Sequence, residues 1–496
     1  MRISTFSTSQ EPLSLMLTLV ATMYNVEIYL EDFFESLDRQ LGVRHRHIPI
    51  ILVDDGSSDR TLKIARRWKA RTRYQVSILT QENSGPGAAR NQGIENCQTS
   101  WLTFLDADDV ISDNYLSEIL DRIEIGVSHP SIIVTNIIRF LEAKNEVKND
   151  HPLKYKFRDG SRTVHLNKAP HFFQLSSSTA TFQTHVIQKH ALRFDTSLLV
   201  FEDAKFIGEY LLYFNDPTVA VLHKAQYLYR RRKDDSSLVP SAERSAMRFV
   251  DVPERAYLHL INSAAKMHGH VPEWLQAMVI YDLYWTIRLD EGMDAPARAQ
   301  SRETRSRFVA LLREIVKSLS DEQITYARAV LLPEPIRDFL LALKNELRTS
   351  PTVVVDRIDP SQQIMRLRYH YPIGHEPQET LNWNGVEIEP TYSKRRSVTF
   401  FDEIAYMERI LWVPADMELA MYLDRKRVTF SRGENPQPRP VMHEWLSWNY
   451  FVPKRPRPSV REGNLEVQAN ILSDRNGALR YPDGQLSRAS LRRVGA

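Results

Sequence analysis

A single cysteine, Cys97, cannot close an internal disulfide, so nothing in this fold depends on an oxidising compartment. Long apolar runs are missing too. The nearest is "LSLMLTLVATMY", Leu13–Tyr24, which is too short to span a bilayer and leads straight into polar "NVEIYLEDF", the mark of a central strand. The N-terminus lacks the basic, apolar and small-residue order of a signal peptide, and the expected location is cytoplasmic. Net charge is small as well: 65 basic against 62 acidic side chains, formally +3, argue against a dedicated nucleic-acid binder.

What remains is the composition of an ordinary globular protein, 42% hydrophobic and 26% charged, over 496 residues, a length that calls for several cores. Internal repeats are absent. The early part alternates short apolar runs with amphipathic stretches, as strands joined by crossover helices do. "LMLTLVAT", "IPIILVDD", "QVSILTQE" and "WLTFLDADD" read as four strands, and "VEIYLEDFFESLDRQL" carries Tyr29, Phe33, Leu37 and Leu41 at helical spacing. Later stretches such as "AMRFVDVPERAYLHLINSAAKM", "WLQAMVIYDLYWTIRL" and "TRSRFVALLREIVKSL" are amphipathic helices. "IMRLRYHY" then returns to strands, with Met365, Leu367, Tyr369 and Tyr371 alternating against Arg366, Arg368 and His370. Asn384-Gly385 is a two-residue hairpin signal. The expected organisation is therefore an α/β domain over 1–240, a helical subdomain over 241–348, a small all-β sandwich over 349–432 and a Pro/Arg-rich, partly disordered tail over 433–496.

In open parallel sheets, ligands bind beyond the carboxyl ends of the strands, and two acid clusters fall there. "FLDADD" crowds Asp106, Asp108 and Asp109 into four residues. Repulsion and desolvation make such crowding costly unless something positive completes it, and hard cations such as Mg²⁺ or Mn²⁺ take oxygen ligands of this kind. Alone, Asp-x-Asp is common in turns and helix caps. "VDDGSSD" offers Asp54 and Asp55 as hydrogen-bond acceptors, while Ser58 or Asp59 suits a helix cap. "SGPGAARNQG" offers Gly85 and Gly87 for close backbone approach and Arg90 for a diphosphate. Glu202 and Asp203 of "FEDAKF" suit general-base work, or simply a helix N-terminus. Arg230, Arg231 and Arg232 are suited equally to clamping phosphate and to a solvated strand edge.

In order, "TMYNVEIYLEDFFESL", "ILVDDGSSD", "ENSGPGAARNQGI", "WLTFLDADD" and "FED" resemble the nucleotide-sugar-dependent glycosyltransferases of family 2, with the GT-A fold. The resemblance covers roughly the first 235 positions. It implies that Thr22, Tyr24, Glu27 and Asp55 surround base and ribose, and that Arg90 lies near the nucleotide. Asp106 with Asp108 then forms the metal-and-diphosphate "DXD" motif, and Asp203 is the catalytic base. Many members have proline where Thr22 stands. The layout beyond it, from "HKAQYLYRRRKDDSSL" to the helical and β sections, is similar to bacterial enzymes that glycosylate wall teichoic acid or build related cell-surface polymers. In those enzymes accessory modules support oligomerisation or binding of the anionic acceptor polymer.

The expected reaction is a metal-dependent inverting transfer from a UDP-sugar to a polymer hydroxyl. Two alternatives stay open: a polymer-binding scaffold with a degenerate transferase domain, and a glycerophosphate or phosphoglycosyl transferase on a similar acceptor. In the tail, "HEWLSWNYFVPKRPRP" sets aromatic beside basic residues, suited to peripheral contact with an anionic membrane or to packing on its own domain.

Overall fold

The computed structural model describes residues 16–432 apart from 44–47, 126–128, 234–243, 293, 350–351 and 417. The tail expected over 433–496, with its aromatic and basic segment, lies outside the described residues.

The first section builds β1 (Leu17–Met23), α1 (Leu30–Asp38), β2 (Ile50–Asp54), α2 (Thr61–Arg71), β3 (Val76–Thr80), α3 (Pro86–Glu95), β4 (Trp101–Asp106), β5 (Val110–Ile111) and α4 (Tyr115–Glu124). It continues through β6 (Ile132–Leu141), β7 (Glu146–Lys148), β8 (Arg162–His165), β9 (Ala180–Gln183), α5 (Thr184–Lys189), α6 (Glu202–Leu211) and β10 (Thr218–Arg231). The sheet runs β3-β2-β1-β4-β9-β6-β10-β5, with β7 against β6 and β8 against β10. β1 pairs in parallel with β2 and β4, β2 with β3, and β6 with β10, whereas β9 runs antiparallel between β4 and β6. Such strands bury both faces, which is why β1 and β2 read as nearly unbroken apolar runs. On one face Phe34 stacks on Trp68 at 4.2 Å; on the other Phe194 stacks on Phe206 at 4.1 Å. Helix α3 approaches β1 so closely that a Cβ on Gly93 would sit 2.3 Å from Val20 Cγ1. Helix α1 is shorter than its periodicity predicts: Tyr29, Phe33 and Leu37 are buried, but Leu41 lies beyond its end and is exposed.

A π-helical turn over Val252–Leu258 then leads into α7 (His259–His268), α8 (Glu273–Arg288), α9 (Arg302–Lys317), α10 (Asp321–Thr325) and α11 (Glu334–Leu343). The helix suggested by "AMRFVDVPERAYLHLINSAAKM" starts later than that pattern predicts: a short turn at Ala246–Arg248 comes first, and Pro253 then sits in the first turn of the continuous helix, where no N–H is needed for the ladder. Helix α8 buries residues on nearly all sides and is a core helix.

The strands β11 (Thr352–Asp359), β12 (Ile364–Tyr371), β13 (Glu379–Trp383), β14 (Val386–Ile388), β15 (Tyr392–Phe400), β16 (Glu403–Pro414), β17 (Leu419–Leu423), β18 (Lys426–Arg427) and β19 (Thr429–Arg432) follow. They form a five-stranded sheet, β15-β16-β12-β11-β19, and a four-stranded one, β14-β13-β17-β18. Asn384 and Gly385, at φ 54° and 80°, make the hairpin turn. Alternation along β12 puts His370 on the polar face, yet it is only 4% exposed, because its Nδ1 lies 2.6 Å from Asp338 of α11.

Candidate functional site

The parallel register of β1 and β4 sets Thr22 opposite Asp106, level at the carboxyl edge of the sheet. There Asp106 Oδ1 accepts from Thr22 Oγ1 at 3.2 Å and from Arg90 Nη2 at 3.0 Å, and its Oδ2 accepts from Ser178 Oγ at 2.6 Å. Arg90 comes from α3 and is 4% exposed. Its Nη1 reaches Asp203 Oδ1 at 2.9 Å and Glu202 Oε1 at 3.1 Å. Burial would push this guanidinium down, but Asp203, Asp106 and Glu202 outweigh it and hold it above its ordinary value. One cation therefore joins acids from two distant stretches of chain.

Glu202 and Asp203 open α6, and the residue before them is strained: Phe201 sits at φ 66°, in the left-handed region that bulky side chains avoid. Asp203 Oδ1 accepts from Ser177 Oγ at 2.8 Å and Oδ2 from Ser177 N–H at 2.9 Å. Burial first, and the charge of Asp203 second, raise the Glu202 carboxyl to about 7.

Asp108 and Asp109 point to other partners. Asp108 Oδ2 pairs with Arg232 Nη2 at 2.7 Å. Burial, then Asp106, nevertheless keep its carboxyl above the usual range, so Arg232 does not fully compensate the acids gathered here. Asp106 and Asp108 are hard oxygen donors of the type Mg²⁺ or Mn²⁺ takes, and this incomplete compensation suits a further cation. Asp109 is buried, accepting from Tyr227 Oη at 2.6 Å and Arg230 N–H at 2.7 Å. Arg230 is 4% exposed, with Nη2 2.8 Å from Asp32 and Nε donating to the Asp108 carbonyl at 2.8 Å. Arg231 is exposed, and Arg232 lies over the Tyr29 ring at 4.9 Å.

The expected nucleotide-side residues are spread along the same edge. Tyr24 is 48% exposed. Glu27 receives Arg60 N–H at 2.7 Å and Nε at 3.0 Å, bonds that hold its carboxyl below the usual range. Asp59, one residue before the N-cap Arg60, accepts from Thr61 N–H, the first amide of α2, at 2.9 Å. Asp55 accepts from Gln81 Nε2 at 2.6 Å and from Ser84 and Gly85 N–H, both at 2.9 Å. It thus ties down the loop before α3, in which Gly85 takes φ 88°.

Thr22, Arg90, Asp106 and Asp203 are therefore brought into one bonded cluster, with Asp108 two residues along. Tyr24, Glu27 and Asp55 flank it. Sequence reasoning missed Ser177 and Ser178, since "LSSSTATF" carries no spacing that singles out two serines, and gave Glu202 no separate role. Among the described residues the one group of three or more His or carboxylate side chains whose ligand atoms lie close enough to share an ion is Glu334, Asp338 and His370, away from Asp106 and Asp108. Arg368 and Arg337 already pair with its acids at 3.0 and 2.8 Å, which disfavours a dication there. A cavity of about 660 Å³, lined by Asn167, Phe214, His270 and Lys317 among others, lies away from the acids beside the start of β10.

The site is thus a strand-edge acid cluster on a mostly parallel sheet. Residues 18–184 match the family model described as Glycosyl transferase family 2, so the chain carries a domain of that family. It is 27% identical to the minor teichoic acid biosynthesis protein GgaB of Bacillus subtilis (strain 168) over 316 residues, 63% of this chain and 33% of GgaB. To GgaA of the same organism it is 29% identical over 274 residues, 54% of this chain and 59% of that protein. The chain thus spans a third to three fifths of the length of these curated relatives. Among solved structures, S. aureus TarS 1-349 in complex with UDP-GlcNAc shares the fold at TM-score 0.50 and 18% identity, covering 67% of this chain and 88% of that one.

Proposed function

We propose that this chain is an inverting glycosyltransferase that moves a hexose from a UDP-sugar to a hydroxyl of an anionic polymer of the teichoic acid type. The observation that carries the reading is the Arg90 bridge, which brings Asp106 from the end of β4 and Asp203 from the start of α6 to one guanidinium, so that both acids border one site. The names of GgaA and GgaB as teichoic acid proteins, and UDP-GlcNAc in the TarS structure, support the choice of acceptor and donor.

Asp203 takes the proton of the acceptor hydroxyl, whose oxygen attacks the anomeric carbon from the face opposite the leaving nucleoside diphosphate. Its Oδ2 accepts one bond from Ser177 N–H, which leaves a lone pair for that hydroxyl. Thr22, Tyr24, Glu27 and Asp55 border the base and ribose, directly or through the loops they fix, and Arg90 balances charge at the diphosphate side. A Mg²⁺ or Mn²⁺ ion held by Asp108 and Asp106 would supply further stabilisation of the charge that grows on the leaving group. Arg231 and Arg232 face the phosphates of donor or acceptor, while Arg230 holds Asp108 and Asp109 in place.

The test is sugar transfer from UDP-GlcNAc and related donors to a polyol-phosphate acceptor, with the released nucleotide identified. Asp203→Asn should lower the rate by about 10²–10⁴-fold, the usual worth of a general base, with donor KM little changed. Nucleoside monophosphate as product would point to phosphoglycosyl transfer. Equal rates for Asp203→Asn and the native chain would remove the assigned base.

A further inference from the structure

Lys156 is a buried cation that the reaction above leaves unused. It is 2% exposed in the turn Pro152–Phe157, and no carboxylate pairs with it among the described residues. Its Nζ donates instead to two neutral oxygens, Phe173 O at 2.9 Å and Gln174 Oε1 at 3.0 Å. An ammonium without a counter-charge is expensive to bury, and burial lowers this one to about 7. Retaining it where methionine would pack needs a reason.

The reason lies in what Gln174 does next. With Oε1 taken by Lys156, its amide nitrogen faces the following turn and donates to Ser176 O at 2.8 Å and to Thr179 Oγ1 at 2.7 Å. That turn, Ser177–Thr179, is the one whose Ser177 holds Asp203 and whose Ser178 holds Asp106. Without Lys156 the buried Gln174 Oε1 loses its donor, and the side chain that ties Ser176 O and Thr179 Oγ1 is held from one side only. Gln174, Ser177, Ser178 and Thr179 are all nine-tenths buried or more, so water does not easily replace a lost donor.

We propose that Lys156 and Gln174 are positioning residues that lock the Ser177–Ser178 turn, and through it set the placement of Asp203 relative to Asp106, without touching donor or acceptor. This rests on the role given to Asp203 under the proposed function. A shift of the order of 1 Å in a reacting group can cost about 10²-fold in rate. The lock should therefore act on the chemical step and spare donor affinity.

The experiment compares the full chain with Lys156→Met, Gln174→Met and the double variant, in steady-state transfer from a UDP-sugar to a polyol-phosphate acceptor, with thermal melts of each. Each single variant should lose about tenfold or more in kcat with donor KM within about twofold, and the double variant should be little worse than either single one, because both act through one turn. Native transfer with kcat retained in both single variants would overturn the proposal. So would kcat losses that multiply in the double variant, or failure of both single variants to fold, since either outcome denotes a plain structural role. No sugar transfer by the native chain at all would instead remove the functional reading on which the proposal stands, and the proposal with it.

Discussion

Arg90 and Asp203 lie 2.9 Å apart, Nη1 to Oδ1, although 113 positions separate them in the chain. The bond sets a resting state in which the proposed base is held by a cation, and the same cation holds Asp106 at 3.0 Å. Acceptor deprotonation must then compete with, or be eased by, movement of this one guanidinium.

Replacing Arg90 should therefore damage both activity and stability. Lysine keeps the charge but not the planar fork that reaches several acids, and Arg90→Lys should reduce transfer by about 10²-fold, read as kcat. Arg90→Met leaves Glu202 and Asp203 without their cation, and it should cost about 3–5 kcal/mol in urea unfolding. A midpoint shift below about 1 kcal/mol would show that the acids find other compensation.

Glu202 predicts a pH dependence of stability. Its folded carboxyl sits at about 7 against an ordinary 4.5, because of burial first and the Asp203 charge second. Between those values the folded state holds a proton that the unfolded chain releases, so stability falls as pH rises through the window. Glu202→Gln should flatten this fall in urea midpoints taken at about pH 5 and about pH 8. Identical slopes in the two proteins would place the titration elsewhere.

Asp108 should carry the metal requirement. Chelation with EDTA should abolish transfer, and Mn²⁺ or Mg²⁺ should restore it; Asp108→Asn should raise the metal concentration for half-maximal rate by about tenfold or more. Undiminished transfer in EDTA by extensively dialysed protein would rule the ion out of the reaction.

His370 predicts a fall of the same sign, at higher pH, at the contact between α11 and β12. Burial lowers its imidazolium, but the Asp338 and Glu408 hydrogen bonds outweigh this and raise it above the ordinary 6.5. The stabilisation is full below 6.5 and is lost as pH rises through the folded value. Asp338→Asn should remove that dependence, detected as hydrogen exchange in β12 that no longer quickens on going to alkaline pH beyond its intrinsic rate.

Several elements were legible because a local pattern suffices for them. The apolar runs of β1, β2 and β4, the helical spacing of Phe33 and Leu37, the alternation in β12 and the Asn384-Gly385 turn follow from periodicity and φ preference, which neighbouring residues set. Leu41 and the late start of the helix that carries Pro253 show the limit, since where a helix starts and stops depends on what it packs against.

The acid cluster divides along the same line. That Asp106, Asp108 and Asp203 occur at a strand end and a helix start, and that crowded acids call for positive charge, was determined by the sequence alone. Which cation answers which acid was decided by the tertiary structure: Arg90 goes to Asp106, Glu202 and Asp203, Arg232 to Asp108, and Arg230 to Asp32 of α1. Ser177, Ser178 and Lys156 belong to that second group. Their significance comes from contacts across the fold, and a pairing between residues far apart in the chain leaves no periodic trace, because closing the loop between them is the work of the whole core.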